Sequence, residues 1–262
     1  MRSIGAIVYQ FRSKLRVSVI KSNFKKNIGI YPPVIVYQMG KVASMSIYTS
    51  LKEQYKGITL HRHILDDKED WQAQFLIEHA NEQQKPLRLI SMMREPIGRN
   101  VSAFFQNFEY ITGIKPEDSK FSIDELIAIF FANPKMYHDV PLTWFDNNIK
   151  KHFGIDIYAK PFPKEQGWAI LKKGNIELLL MKSEISDEKK SALVKEFMKI
   201  DGFRLSASNI AEDKEYADMY KTFKQRFQPP KEYLDMFYTS SKIEYFYTGE
   251  ELATARKKWG SK

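Results

Sequence analysis

Val34-Ile35-Val36-Tyr37-Gln38-Met39-Gly40-Lys41-Val42-Ala43-Ser44-Met45-Ser46 decides how this chain is read. Four apolar residues follow Pro32-Pro33 without interruption, the pattern of a short strand buried on both faces of a parallel sheet. A Gly-Lys turn and a run of small or hydroxylated residues come next, and a helix is predicted from Ser44 to Tyr55. A strand, a tight turn and a helix start in that order bring several backbone N–H groups and the positive end of a helix dipole to one spot, which makes an anion site. Gly40 permits close backbone approach and Lys41 supplies a mobile point charge. Val42, Ala43, Ser44, Met45 and Ser46 complete the turn, with the two serines as hydroxyl donors.

Working outward, Gly57 to His61 reads as a second strand, Lys68 to Gln84 as a helix stopped by Lys85-Pro86, and Leu87 to Met93 as a third strand. Pro96 opens a helix, where its missing N–H and fixed φ cost nothing. That helix carries Ile97, Val101, Phe104, Phe105, Phe108 and Ile111 at helical spacing and sets Arg99, Ser102 and Gln106 on its other face. Further helices are predicted at Ser122–Ala132, Pro141–Phe153, Asp187–Lys199, Lys214–Phe227 and Gly249–Trp259, with strands near Trp168–Lys172 and Glu177–Met181. Alternation of this kind predicts an α/β three-layer sandwich with a central, mainly parallel sheet and a P-loop-like phosphate-binding turn. The chain of 262 residues reads as one domain, residues 1–262, with a basic extension over 1–30.

The chain carries 41 Lys+Arg against 32 Asp+Glu, a net charge of +9 that concentrates anionic ligands around it. Polyphosphates, acidic glycans, nucleic acids and anionic membranes all satisfy that charge, but no zinc knuckle or RNP-like aromatic repeat favours nucleic acid. With no cysteine, disulfides, thiolate metal sites and Cys nucleophiles are excluded, which suits a reducing cytoplasm. The N-terminal basic residues, among them Arg2, Arg12 and Lys14, flank an apolar run (Ile4 to Tyr9) too short for a signal peptide or a membrane span. A charged face on a short helix and a peripheral contact with the inner face of a membrane both fit them.

The turn is not that of a nucleotide triphosphatase. Tyr31 to Gln38 holds no glycine, Val42 rather than Ser or Thr follows Lys41, and the third strand ends in Arg94 rather than in an acid for Mg²⁺. Arg94-Glu95-Pro96-Ile97-Gly98-Arg99-Asn100-Val101-Ser102 instead places an Arg at a strand end and a Ser in the second turn of the next helix. An Arg fork and a helix-borne hydroxyl can close on the same phosphate oxygens, although pairing of Arg94 with a nearby carboxylate is an equal alternative at this point.

Taken together, the Lys41 turn and the Arg94/Ser102 pair resemble the sulfotransferases that use 3′-phosphoadenosine 5′-phosphosulfate (PAPS). The wording is most similar to the glycan-directed branch and to the bacterial capsular-polysaccharide-associated sulfotransferase-like proteins. The resemblance covers about seventy residues, Tyr37 to Phe108. It implies that the Lys41 loop holds the 5′-phosphosulfate, that Arg94 and Ser102 hold the 3′-phosphate, that adenosine 3′,5′-bisphosphate is a product, that no metal takes part and that the acceptor is a glycan. Met45 stands where many members have Thr. The C-terminal glycine-rich loop of small-molecule members is absent, with Lys214 as a substitute.

Sulfuryl transfer needs an in-line acceptor oxygen, stabilised charge on the leaving oxygen and a base for the acceptor proton. Lys41 is the stabilising group. His61 and His63 end the second strand, where ligands bind in open parallel sheets, and a neutral imidazole suits the base. The glycan branch carries a similar His-x-His. Structural histidines or a metal pair remain alternatives here, and Glu95 is a reserve base or simply a helix cap. Trp144, Phe145 and Asn148 either line an acceptor groove or pack in the core, and Lys182 and Glu184 could pair. A Mg-ATP kinase and a catalytically silent nucleotide- or glycan-binding protein of capsule assembly are the rival readings. Acceptor identity and oligomeric state are not encoded in any motif seen here.

Overall fold

In a computed structural model, residues 18–28, 30–65, 70–206 and 216–260 are described. Lys214, and the basic residues before position 18, lie outside them. Among the described residues a five-stranded sheet has the order β2-β1-β3-β5-β4. Its strands are β1 (Val34–Tyr37), β2 (Thr59–Arg62), β3 (Leu87–Met93), β4 (Trp168–Lys173) and β5 (Ile176–Lys182). All neighbours run parallel except β4 and β5, which form an antiparallel hairpin.

Every residue of β1 and β3 is buried. Because successive side chains point to opposite faces, uninterrupted burial means that both faces of these strands are covered, as their unbroken apolar runs require. The central sheet is therefore legible in the sequence, whereas the edge strand β4 alternates in burial only weakly.

The first helix, α1 (residues 18–28), lays Phe24 on Trp71 and buries Ile28 while Lys25 and Lys26 stay exposed. α2 (Met45–Gln54) follows β1, α3 (Trp71–Glu82) follows β2, and α4 (Pro96–Gln106) follows β3. The short α5 (Phe108–Thr112) continues from α4. α6 (Ile123–Ala132) starts at a Ser122/Glu125 capping box. α7 (Val140–Phe145) runs through a π-helical turn, Asp146–Lys150, into α8 (Lys151–Phe153), so the single helix expected over Pro141–Phe153 is one helical stretch with a bulge in it.

The remaining helices are α9 (Asp187–Met198), α10 (Ala217–Arg226), α11 (Lys231–Tyr238), α12 (Ser241–Glu244) and α13 (Gly249–Gly260). The aromatic-dense stretch Tyr233 to Tyr247 covers most of α11 and all of α12. An aromatic cluster fixes α4: Phe104 meets Phe130 at 5.7 Å between ring centres, and Phe105 meets Phe223 at 5.1 Å, a spacing at which such rings attract. α4 is thus anchored between α6 and α10 on one face, leaving its polar face for the sheet edge. No helix among the described residues is long and apolar enough to cross a membrane.

Candidate active site

β1 lies between β2 and β3, so connections leave it in one direction and β3 in the other, and the crevice at their C-terminal ends is a topological switch point. The loops at that crevice are Gln38–Ser44 from β1 and Arg94–Glu95 from β3. Sequence distance had kept them apart; the sheet order makes them neighbours.

Two arginines grip the first loop. Arg94 Nη1 donates to the Lys41 carbonyl at 2.8 Å, and Arg99 Nε donates to the Gly40 carbonyl at 3.0 Å. Lys41 and Ala43 take left-handed φ values of +74° and +62°, half of the four non-glycine residues that do so among those described. Such conformations cost a side-chain-bearing residue of order 1–3 kcal/mol and persist only where the surroundings impose them. Ala43 is followed by right-handed Ser44 (φ −83°), a reversal of hand that turns successive N–H groups to a common side. Ser44 is the N-cap of α2 yet makes no side-chain cap, so the first N–H groups of that helix are not covered by it.

Lys41 Nζ reaches Gln106 Oε1 on α4 at 2.5 Å. Gln106 lies one turn beyond Ser102, and Ser102 almost one turn beyond Arg99, so the polar face of α4 is the wall of the site. Ser102 is half-buried there. The two serines of the turn are already engaged: Ser44 Oγ lies 3.0 Å from His61 Nε2, and Ser46 Oγ donates to the Ala43 carbonyl at 3.2 Å. Met45 is exposed at the start of α2.

The histidine pair divides into two roles. Fully buried Gln38 extends β1, and its amide nitrogen, which can only donate, lies 3.1 Å from His61 Nε2. His61 therefore spends its Nε2 lone pair internally. Burial, then the neighbouring His63 and Arg62, pull its pKa down to about 4. His63 Nδ1 lies 3.0 Å from the Gln38 carbonyl, which can only accept, and 3.4 Å from the Gln38 amide nitrogen; the shorter contact favours the proton on Nδ1 and the lone pair on Nε2. His63 is exposed, and its Cε1 is 4.0 Å from where a Cβ on Gly40 would lie, which brings its edge to the Gln38–Ser44 loop. The His63 backbone is held by Trp144 Nε1, which donates to the His63 carbonyl at 2.9 Å. Asn148, in the π-helical turn, accepts from Tyr37 at 2.7 Å and donates to the Trp144 carbonyl at 2.9 Å.

Three expectations resolve in particular ways. Trp144 and Phe145 are buried, so that stretch supports the site from the core and does not offer a sugar platform. Glu95 caps α4 by accepting from Ile97 N (2.9 Å) and Gly98 N (2.8 Å), and also receives Tyr238 Oη (2.6 Å) and Trp259 Nε1 (3.0 Å). With four donors on it, this carboxylate has no lone pair left for base catalysis. Lys182 and Glu184 do not pair with each other: Lys182, the last residue of β5, is claimed by Glu251 at 2.5 Å, while Glu184, in the turn after it, accepts from the Glu95 N–H at 2.7 Å. Among the described residues no group of three or more His, Asp and Glu could hold a metal ion.

Arg99, Asn100 and Gln38 were not picked out as site residues by their motifs. For Arg99 a signal existed, its position on the Ser102/Gln106 face of α4; for the others the partners are remote in sequence.

Two stability effects follow. Glu95→Ala strips the cap of α4 and leaves two aromatic donors unpaired, and is expected to cost about 1–3 kcal/mol in a urea melt; a variant as stable as the parent would contradict the geometry. Folded His61 stays neutral down to about 4, while the unfolded chain takes up a proton near the ordinary histidine value of about 6.5. Stability should therefore be full above about 6.5 and decline as pH falls towards the folded value of about 4. Burial of His138 acts in the same direction. Melting curves against pH check this, and His61→Gln should flatten the acid side.

Residues 117–248 match the sequence model of a family described as "Putative capsular polysaccharide synthesis protein". No curated protein and no solved structure matches the chain. The matched half contains Trp144, Asn148, His138 and Tyr233, the residues that stand behind the crevice, while the Lys41 and Arg94 loops lie before it.

Proposed function

The chain belongs to this capsular polysaccharide synthesis family, and from that premise we propose that it is a sulfotransferase, carrying the sulfuryl group of PAPS to a hydroxyl of a polysaccharide or oligosaccharide. One observation carries the reading: Arg94 is hydrogen-bonded to the Lys41 carbonyl, so the two motifs of the resemblance open onto one crevice. A doubly phosphorylated adenosine needs two cationic contacts within one ligand's length, and this contact supports that spacing.

The chemistry then distributes as follows. The acceptor hydroxyl oxygen attacks sulfur, and its proton passes to His63 Nε2. As the new O–S bond forms, the S–O bond to the 5′-phosphate breaks, and its electron pair leaves on a phosphate oxygen of adenosine 3′,5′-bisphosphate. Lys41 and the N–H groups of the Gly40–Ser46 turn stabilise that oxygen, and Arg94 with Ser102 holds the 3′-phosphate. His61, neutral and tied to Gln38 and Ser44, braces the loop without exchanging protons. No step calls for a metal. A cytoplasmic site of action at the inner face of the membrane, with the basic N-terminus as the contact, belongs to the same reading.

The test is thermal unfolding with adenosine 3′,5′-bisphosphate and, separately, with ATP and Mg²⁺. At 100 times its dissociation constant the bisphosphate should stabilise by about 2.7 kcal/mol. Equal shifts from both nucleotides, or an unchanged shift in Arg94→Ala, would sink the reading and favour a kinase. A bisphosphate shift with no sulfuryl transfer to any polysaccharide would favour a silent binding protein.

A further inference from the structure

Four cationic side chains are buried among the described residues: Arg88, Arg99, Lys182 and Lys190. Three have an acidic partner, Arg88 with Glu177, Lys182 with Glu251 and Lys190 with Asp187. Arg99, 9% exposed, has none among the described residues. A buried charge without a counter-charge is costly, and proteins keep one where something else completes it.

What surrounds Arg99 is neutral and directional. Its Nη1 donates to Asn100 Oδ1 at 2.9 Å, and Asn100 Nδ2 donates to Tyr233 Oη at 3.1 Å and to the His138 carbonyl at 3.0 Å. His138 Nε2 lies 2.9 Å from the Phe130 carbonyl and must carry the proton there, so its Nδ1 accepts from Tyr233 Oη at 2.8 Å. This chain of amide, phenol and imidazole fixes the guanidinium in place and contributes no negative charge to it. Arg99 Nε is spent on the Gly40 carbonyl, and Nη2 shares that edge of the planar fork, which directs it towards the same loop.

We propose that Arg99 is a third cationic ligand of the anion held by the Gly40–Ser46 loop, its counter-charge being supplied by that ligand. The inference rests on reading the loop as an anion site and is independent of sulfuryl chemistry. With Lys41 and Arg94 it raises the pocket to three positive charges. One phosphate monoester brings about −1.5 to −2 at neutral pH, so a ligand with two phosphate-type groups, at about −3 to −4, is the class that matches. Arg99 thereby selects doubly charged-end nucleotides over monophosphates.

Thermal unfolding of the full chain reads this out, with inorganic pyrophosphate, adenosine 3′,5′-bisphosphate and adenosine 5′-monophosphate as probes on wild type, Arg99→Met and Arg99→Lys. Pyrophosphate should raise the wild-type melting temperature, Arg99→Met should lose at least half of that shift, and Arg99→Lys, which keeps the charge, should retain more of it than Arg99→Met. A folded Arg99→Met with the full shift overturns the proposal. Should Arg99→Met fail to fold, Arg99→Lys decides: a retained shift supports the proposal and a lost one overturns it. Wild type indifferent to pyrophosphate overturns it as well. A pyrophosphate response that depends on Arg99, with the bisphosphate no better than the monophosphate, upholds Arg99 as an anion ligand but removes the selectivity and sinks the sulfotransferase reading.

Discussion

Lys41→Met is expected to lower the rate of sulfuryl transfer by about 10²–10³, measured as transfer of radiolabelled sulfate from PAPS to a polysaccharide acceptor. Methionine keeps the length of the stem and removes only the charge, so the turn, gripped at the Gly40 and Lys41 carbonyls by Arg99 and Arg94, should survive. Charge on the leaving oxygen grows as the S–O bond breaks, and the ammonium is worth most at that moment. The loss should therefore fall on kcat more than on KM for PAPS. A Lys41→Met protein with wild-type turnover would remove Lys41 from the chemistry altogether.

His63→Ala should cost about 10²–10⁴ in rate while leaving adenosine 3′,5′-bisphosphate binding unchanged, because in the proposed mechanism the imidazole takes the acceptor proton and does not touch the nucleotide. Added imidazole should restore part of the activity, since the vacated edge beside Gly40 opens to solvent. His61→Ala behaves differently. It removes the partner of Ser44 and Gln38, so nucleotide binding and stability fall together with rate, and imidazole does not rescue it. If the two substitutions gave the same pattern, or if imidazole rescued His61→Ala instead, the division of roles drawn from the two ring tautomers would be wrong.

These two expectations illustrate what kind of information each level holds. The strand β1 and the Gly-Lys turn after it were legible because burial on both faces demands an unbroken apolar run, and a run is a local property of sequence. The placing of Arg94 at the end of β3 and of Ser102 in the second turn of α4 was legible because it is spacing within adjoining elements. The separation of His61 from His63 was not legible. Two apart at the end of β2, they differ through Gln38 on the neighbouring strand, whose amide is the nearer group to His61 and whose backbone carbonyl is the nearer group to His63.

Arg99 makes the same point more sharply. Its place on the polar face of α4 suggests solvent, but the loop from β1 closes over it, and residues more than thirty and more than a hundred positions onward, His138 and Tyr233, complete its surroundings. The π-helical turn at Asp146–Lys150 is similarly silent in sequence, since nothing in the residue order announces one extra residue per turn; it puts Asn148 within reach of both Tyr37 and the Trp144 carbonyl.

By itself, then, the sequence determined the α/β class, the buried central strands and the two cationic motifs, since these follow from hydrophobic periodicity and from spacing within single elements. The tertiary structure alone decided that the two motifs share one crevice, which histidine keeps a free lone pair, and that one buried arginine lacks a counter-charge. Those are properties of strand order and of partners drawn from distant parts of the chain, and no local pattern of residues encodes them.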